Sequence, residues 1–174
     1  MSAYRFIYML AGILLLLSCG SDNNAPIDDP GNTTNHYLQL QPNGLNVIKV
    51  SCTEENFVFP FQIKAVGNGS NQGGEAQINS WSEDELKAYN NKEKTSYVLL
   101  PSSLYSLTST EVSFKEGIST MDVEVKFNPS KVFAEFREKT VEYVIALKLS
   151  SDKIQVRDSQ SRILLSISFD YPTV

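Results

Sequence analysis

Apolar residues recur at every second position along four stretches of this chain, a period that points to β-strands with a buried face. From Phe57 to Ala65 the set Phe57, Phe59, Phe61, Ile63 and Ala65 falls on one side, with Pro60, Gln62 and Lys64 on the other. From Met121 to Phe127, Met121, Val123, Val125 and Phe127 oppose Asp122, Glu124 and Lys126. Tyr143, Ile145, Leu147 and Leu149 repeat the pattern, as do Ile163, Leu165, Ile167 and Phe169. Shorter candidates are Ile48 to Cys52, Glu75 to Ser80, Tyr97 to Leu100 and Glu111 to Phe114. Turn-forming clusters separate them: Gly67 to Gly74, Lys115-Glu116-Gly117 and Ser150 to Lys153. Pro60 has no N–H to give a ladder, which predicts an edge strand or a bulge there. About seven short strands with turns between them predict an all-β, antiparallel sandwich of two sheets. Crossover helices for a parallel α/β sheet are missing.

Two short helices interrupt the strands. Ser82-Glu83-Asp84-Glu85 is a capping box, with Ser82 as N-cap and Glu85 at the third helical position. Asn128-Pro129 offers an N-cap followed by proline at the first helical position, opening a helix or turn through Val132, Phe133 and Phe136.

The N-terminus carries an address. One positive side chain, Arg5, precedes twelve mostly apolar residues, Phe6 to Leu17, and then Leu16-Leu17-Ser18-Cys19. The run is too short for a membrane span, which needs about 20 apolar residues, and fits a signal-peptide core. Its Leu-x-small-Cys ending resembles the lipobox of bacterial lipoproteins, in which the cysteine is acylated, so Cys19 is the expected lipidation site. Gly20 to His36 is rich in Ser, Asp, Asn, Pro, Gly and Thr and has almost no large apolar residue, so it reads as a tether. The expected layout is a signal peptide over residues 1–18, a flexible tether over 19–36 and one β-sandwich domain over 37–174. The start of the tether, Cys19 to Asn24, is similar to the Ser-plus-acidic export signal of Bacteroidetes surface lipoproteins, with one acid in place of several. The expected location is the outer membrane, lipid-anchored, at the cell surface or on the periplasmic face. With Cys19 acylated, Cys52 has no disulfide partner, and its alternation with Ile48 and Val50 predicts a small buried hydrophobe.

The stretch Phe61 to Tyr171 resembles the Bacteroidetes lipoprotein family called domain of unknown function 1735. The matching segments are Phe61 to Gly67, Leu86-Lys87-Ala88-Tyr89-Asn90, Tyr97-Val98-Leu99-Leu100-Pro101 with Tyr105, and Val112 to Gly117. Tyr143 to Leu147 departs from the pattern, lacking the family's usual Leu-Pro after its tyrosine. The resemblance implies an immunoglobulin-like accessory domain of surface lipoproteins of glycan use, and it carries over no catalytic residue.

The residue census narrows the chemistry. The single histidine, His36, falls in the tether, so no folded nucleophile and histidine pair is expected. One free cysteine and one histidine do not make a zinc site, and no metal or other cofactor is expected. Gly67 to Gly74 fits neither phosphate-loop pattern. Asp122 and Glu124 share the polar side of a strand, where carboxylates are ordinarily solvated, and Glu83, Asp84 and Glu85 suit a helix N-terminus. Cleavage before Cys19 leaves 14 Lys and Arg against 20 Asp and Glu, a formal charge of −6, which excludes nucleic acid as a partner. Trp81 is the weak candidate for ligand binding, by stacking on a sugar ring. Alternatively it packs on Leu86 as a hydrophobic staple. The expected function is a non-catalytic binding or accessory module in extracellular glycan use, partnered by the membrane through its lipid, by a glycan and by another protein. The alternative is a structural spacer or assembly subunit.

Overall fold

The computed structural model describes residues 36–67, 73–137 and 141–170. The signal sequence, Cys19 and all of the tether except His36 lie outside the described residues. In chain order the elements are β1 (Tyr37–Gln41), β2 (Gly44–Ser51), β3 (Phe57–Val66), β4 (Gly74–Ser80), α1 (Glu83–Glu93), β5 (Val98–Leu99), β6 (Tyr105–Leu107), β7 (Glu111–Phe114), β8 (Thr120–Phe127), α2 (Pro129–Phe136), β9 (Tyr143–Ser150), β10 (Gln155–Val156) and β11 (Arg162–Asp170). One sheet runs β10-β1-β3-β8-β6. The other runs β2-β11-β9-β4-β7, with β5 also on β9.

The alternating stretches become β3, β8, β9 and β11, and their apolar sides meet between the sheets. Leu38, Leu40, Phe61, Ile63, Val123 and Val125 from one sheet pack against Ile78, Ile145, Leu147, Ile163, Leu165 and Ile167 from the other. This is the expected sandwich, with eight strands of four residues or more and three shorter ones. Three pairings are parallel: β2 on β11, β1 on β10 and β5 on β9. The first arises because the chain passes from one sheet to the other between β1 and β2, so that β2 joins the second sheet beside the C-terminal strand.

Pro60 corrects an expectation. It stands in β3, between β1 and β8, and not on an edge strand, in unbroken register opposite Glu124. The Ala65 N–H points toward the β8 side, donating to the Ser119 carbonyl at 2.8 Å. By the period of two, position 60 therefore faces the β1 side. There β1 has already ended, at Gln41 opposite Gln62, so the missing donor leaves no ladder bond unmade. Cys52 is a second correction: β2 stops at Ser51, and Cys52 sits half-buried in the turn beyond it, outside the core.

Both helices begin at the residues that cap them. The Ser82 hydroxyl accepts from Glu85 N at 3.2 Å, while the Glu85 carboxylate accepts from Ser82 N at 2.8 Å. The Asn128 side chain accepts from Lys131 N at 2.9 Å at the head of α2. Each satisfies an otherwise orphaned helix-end donor.

Candidate functional site

Strand β9 is apolar on both sides, and its outer side creates a second, smaller core. Val144 and Ala146 of β9, Leu164 of β11, Trp81 and Leu86 of α1 are buried together, with Tyr89, Tyr97 and Leu99 packed against them. Helix α1 is thus fastened over the outer face of the six-stranded sheet. Trp81 fixes the entry to the helix: its N–H donates to the Ala146 carbonyl at 3.0 Å and its indole N–H to the Leu147 carbonyl at 3.1 Å. The Arg162 guanidinium lies 5.2 Å from the centre of the ring. At 4 % exposure the indole is packed against Leu86 and its neighbours, with no open face on which a sugar could stack. The Lys148 ammonium donates to Glu85 at 2.7 Å, and that bond, followed by the Ser82 N–H, holds the Glu85 carboxyl below the ordinary range.

Beyond Trp81 the aromatic row continues outward. Tyr89 meets the indole edge-on at 5.7 Å, and Tyr97 stacks on Tyr89 at 6.4 Å with 23° between their planes. Asn90 sets this spacing. Its amide donates to the Tyr97 carbonyl at 2.8 Å, and its oxygen accepts from Tyr97 N at 3.2 Å and from the Thr95 hydroxyl at 2.8 Å. Burial raises both phenols above their usual value, and the Glu142 charge raises Tyr97 further. Each ring is therefore a neutral, half-buried surface at neutral pH.

Glu142 lies next to this row. The parallel register of β5 on β9, Val98 opposite Tyr143, places Tyr97 beside Glu142. On the neighbouring strand β11, the wholly buried Ser166 donates its hydroxyl to Glu142 Oε1. Ser166 in turn stands opposite Val144 on one side and Val47 on the other. Val47 and Leu45 are 61 % and 44 % exposed, an aliphatic margin on edge strand β2. The outer face thus holds a tyrosine pair, an anchored carboxylate and an aliphatic rim in adjacent strands. The carboxylate and the rim carried no sequence signal, because Glu142 and Val47 are ordinary surface residues until register joins them.

On the other sheet the outward carboxylates are engaged singly. Asp122 accepts from the Gln62 amide at 2.8 Å, and Glu124 pairs with Lys126 at 2.8 Å. Among the described residues, no group of three or more His, Cys, Asp or Glu side chains is placed to hold a metal ion. The landmark residues of the sequence are framework: Tyr89 and Asn90 as above, Leu100 buried, Tyr105 sharing a 2.7 Å hydrogen bond with Ser80, and Gly117 at φ +81°, which a side chain would strain.

The family model "-like, N-terminal domain" matches residues 29–156. No curated protein matches the chain. Similar solved structures come from Bacteroides. A protein of Bacteroides ovatus described as carbohydrate binding superposes with a TM-score of 0.63 at 15 % identity, over 76 % of this chain and 36 % of that one. A multidomain Bacteroides ovatus protein that includes DUF1735 gives 0.56 at 16 % identity, over 77 % and 45 %. EndoBT-3987 of Bacteroides thetaiotamicron, with a Man5GlcNAc product, gives 0.57 at 15 % identity, over 76 % and 31 %. The chain spans between about a third and a half of the length of these structures, and the likeness is one of fold.

Proposed function

Because the chain belongs to this N-terminal domain family, the domain of unknown function 1735, we propose that it is a non-catalytic, lipid-anchored binding module for extracellular glycan use. The observation that carries the glycan reading is the recurrence of this fold within a protein described as carbohydrate binding and within EndoBT-3987. The outer face of the six-stranded sheet supports it with half-buried aromatic rings beside a carboxylate. The lipobox at Cys19 supports an outer-membrane location. The role without catalysis rests on the absence of a folded histidine in the sequence beyond His36 and on the single engagement of Asp122 and Glu124. Binding on an open sheet surface is expected to be weak, since little of the sugar is enclosed and each exposed contact contributes on the order of 1 kcal/mol.

Affinity electrophoresis tests this reading. The protein should be retarded in native gels containing at least one of yeast mannan, xylan, arabinogalactan or amylopectin, and should release no reducing sugar from any of them. Unretarded migration in all four contradicts it. A spacer or assembly subunit is the second reading, favoured by the edge position of β2, whose unpaired side offers a ladder to another chain. Co-purification of a specific partner protein alongside unretarded migration would establish that reading instead.

A further inference from the structure

Resting on the glycan reading, we propose that Tyr97, Glu142 and Val47 form a sugar-recognition site for a pyranoside with adjacent free hydroxyls, on the outer face of the six-stranded sheet. The site runs from Tyr97 and Glu142, the residues that lead into β5 and β9, across β11 to β2, a width of three strand spacings, about 14 Å. Val144 and Ser166 lie wholly buried in the strands beneath it and offer a ligand no surface of their own. The Tyr97 ring stands on one side, held by Tyr89 behind it and by the bonds from Asn90. On the other side the aliphatic Val47 projects into solvent at 61 % exposure.

Glu142 stands between the two. An exposed carboxylate normally swings among rotamers, but here the Ser166 hydroxyl donates to Oε1 and fixes one arm. Oε2 is left directed away from that bond, an acceptor for a ligand hydroxyl. A pyranose matches this arrangement in two ways. Its C–H face is attracted to the negative face of an aromatic ring, and its adjacent hydroxyls donate charge-assisted bonds to a carboxylate. Anchoring by Ser166 lowers the ordering cost of the carboxylate, which is how a shallow site gains affinity without depth. Trp81, the residue whose chemistry most invites a sugar, then acts only from behind, by setting the position of Tyr89.

The test uses the full-length protein in the four polysaccharide gels, with melting temperature measured in parallel. Tyr97→Ala and Glu142→Ala should each weaken retardation at least ten-fold in dissociation constant. Val47→Arg is the variant that does not depend on packing, because position 47 is largely exposed. Its guanidinium would pair with Glu142 and close the site, again with at least a ten-fold loss. Tyr37→Ala, on the other sheet beneath Arg157, should bind like the parent. Parent-like retardation of Val47→Arg and Glu142→Ala overturns the site and leaves the glycan reading standing. A parent protein that no gel retards removes both.

Discussion

Trp81 contributes to stability through two separate means, burial of its ring among Leu86, Val144, Ala146 and Leu164 and the indole bond to Leu147. Trp81→Ala should therefore cost about 3 to 5 kcal/mol, read as a lowered midpoint in urea denaturation. A midpoint unchanged within error would mean that the indole is not packed as described. Glu85 adds a pH dependence. Its folded carboxyl is held low by Lys148 and the Ser82 N–H, so its stabilising contribution is fully present above the unfolded value, about pH 4. That contribution is lost as pH falls through the folded value. Glu85→Gln should flatten the loss of stability below about pH 4 while lowering stability at neutral pH, measured by melting at successive pH values. At this scale the packing of Trp81 was legible, because the capping box beside it fixes where the first helical turn begins. Cys52 was not. The alternation of Ile48 and Val50 continues through it in sequence, while the strand stops one residue earlier in the turn that follows Ser51.

Apolar residues at every second position made β3, β8, β9 and β11 legible, while the apolar outer positions Val144, Ala146 and Leu164, which carry the second core, were not read from that period. The short strands β1, β6 and β10 were not among the expected ones. They are two to five residues long, and too few positions alternate to stand out from a loop. Nor does a period of two reveal neighbours, so the parallel placement of β2 beside β11, and with it the approach of Val47 to Ser166, appears only in the fold. The link from α1 to β5 illustrates how a polar side chain substitutes for a longer ladder. Asn90 makes three hydrogen bonds across a seven-residue span, two of them to the backbone of Tyr97. Asn90→Ala leaves that carbonyl and N–H without their partner, a cost of about 1 to 3 kcal/mol. Faster amide exchange at Thr95 to Leu99, with β3 and β8 as protected as before, is the expected signature. Uniform exchange across both sheets would mean that Asn90 supports the whole fold and not this junction.

Over the whole molecule, the expected layout is an address, a tether and a sandwich, and the structure describes the last of these. The anchor is testable on its own. Cys19→Ala should abolish incorporation of a fatty-acid probe and release the protein from the membrane fraction, because the acyl chains, each stabilised by about 0.8 kcal/mol per buried methylene, are the expected means of attachment. Labelling that persists in the variant would exclude Cys19 as the acylated residue. The fold class was legible because a sandwich follows from many short half-buried strands. The proposed binding face was not, since it is assembled from single residues in or next to strands whose order the sequence does not state. The central claim, that this domain binds sugar without cleaving it, is tested most directly by a glycan array probed with the purified, fluorescently labelled protein. Selective, weak signals on at least one polysaccharide class are expected, with no reducing sugar released from the same glycans in solution. An array without signal, or release of sugar from a bound glycan, would contradict it.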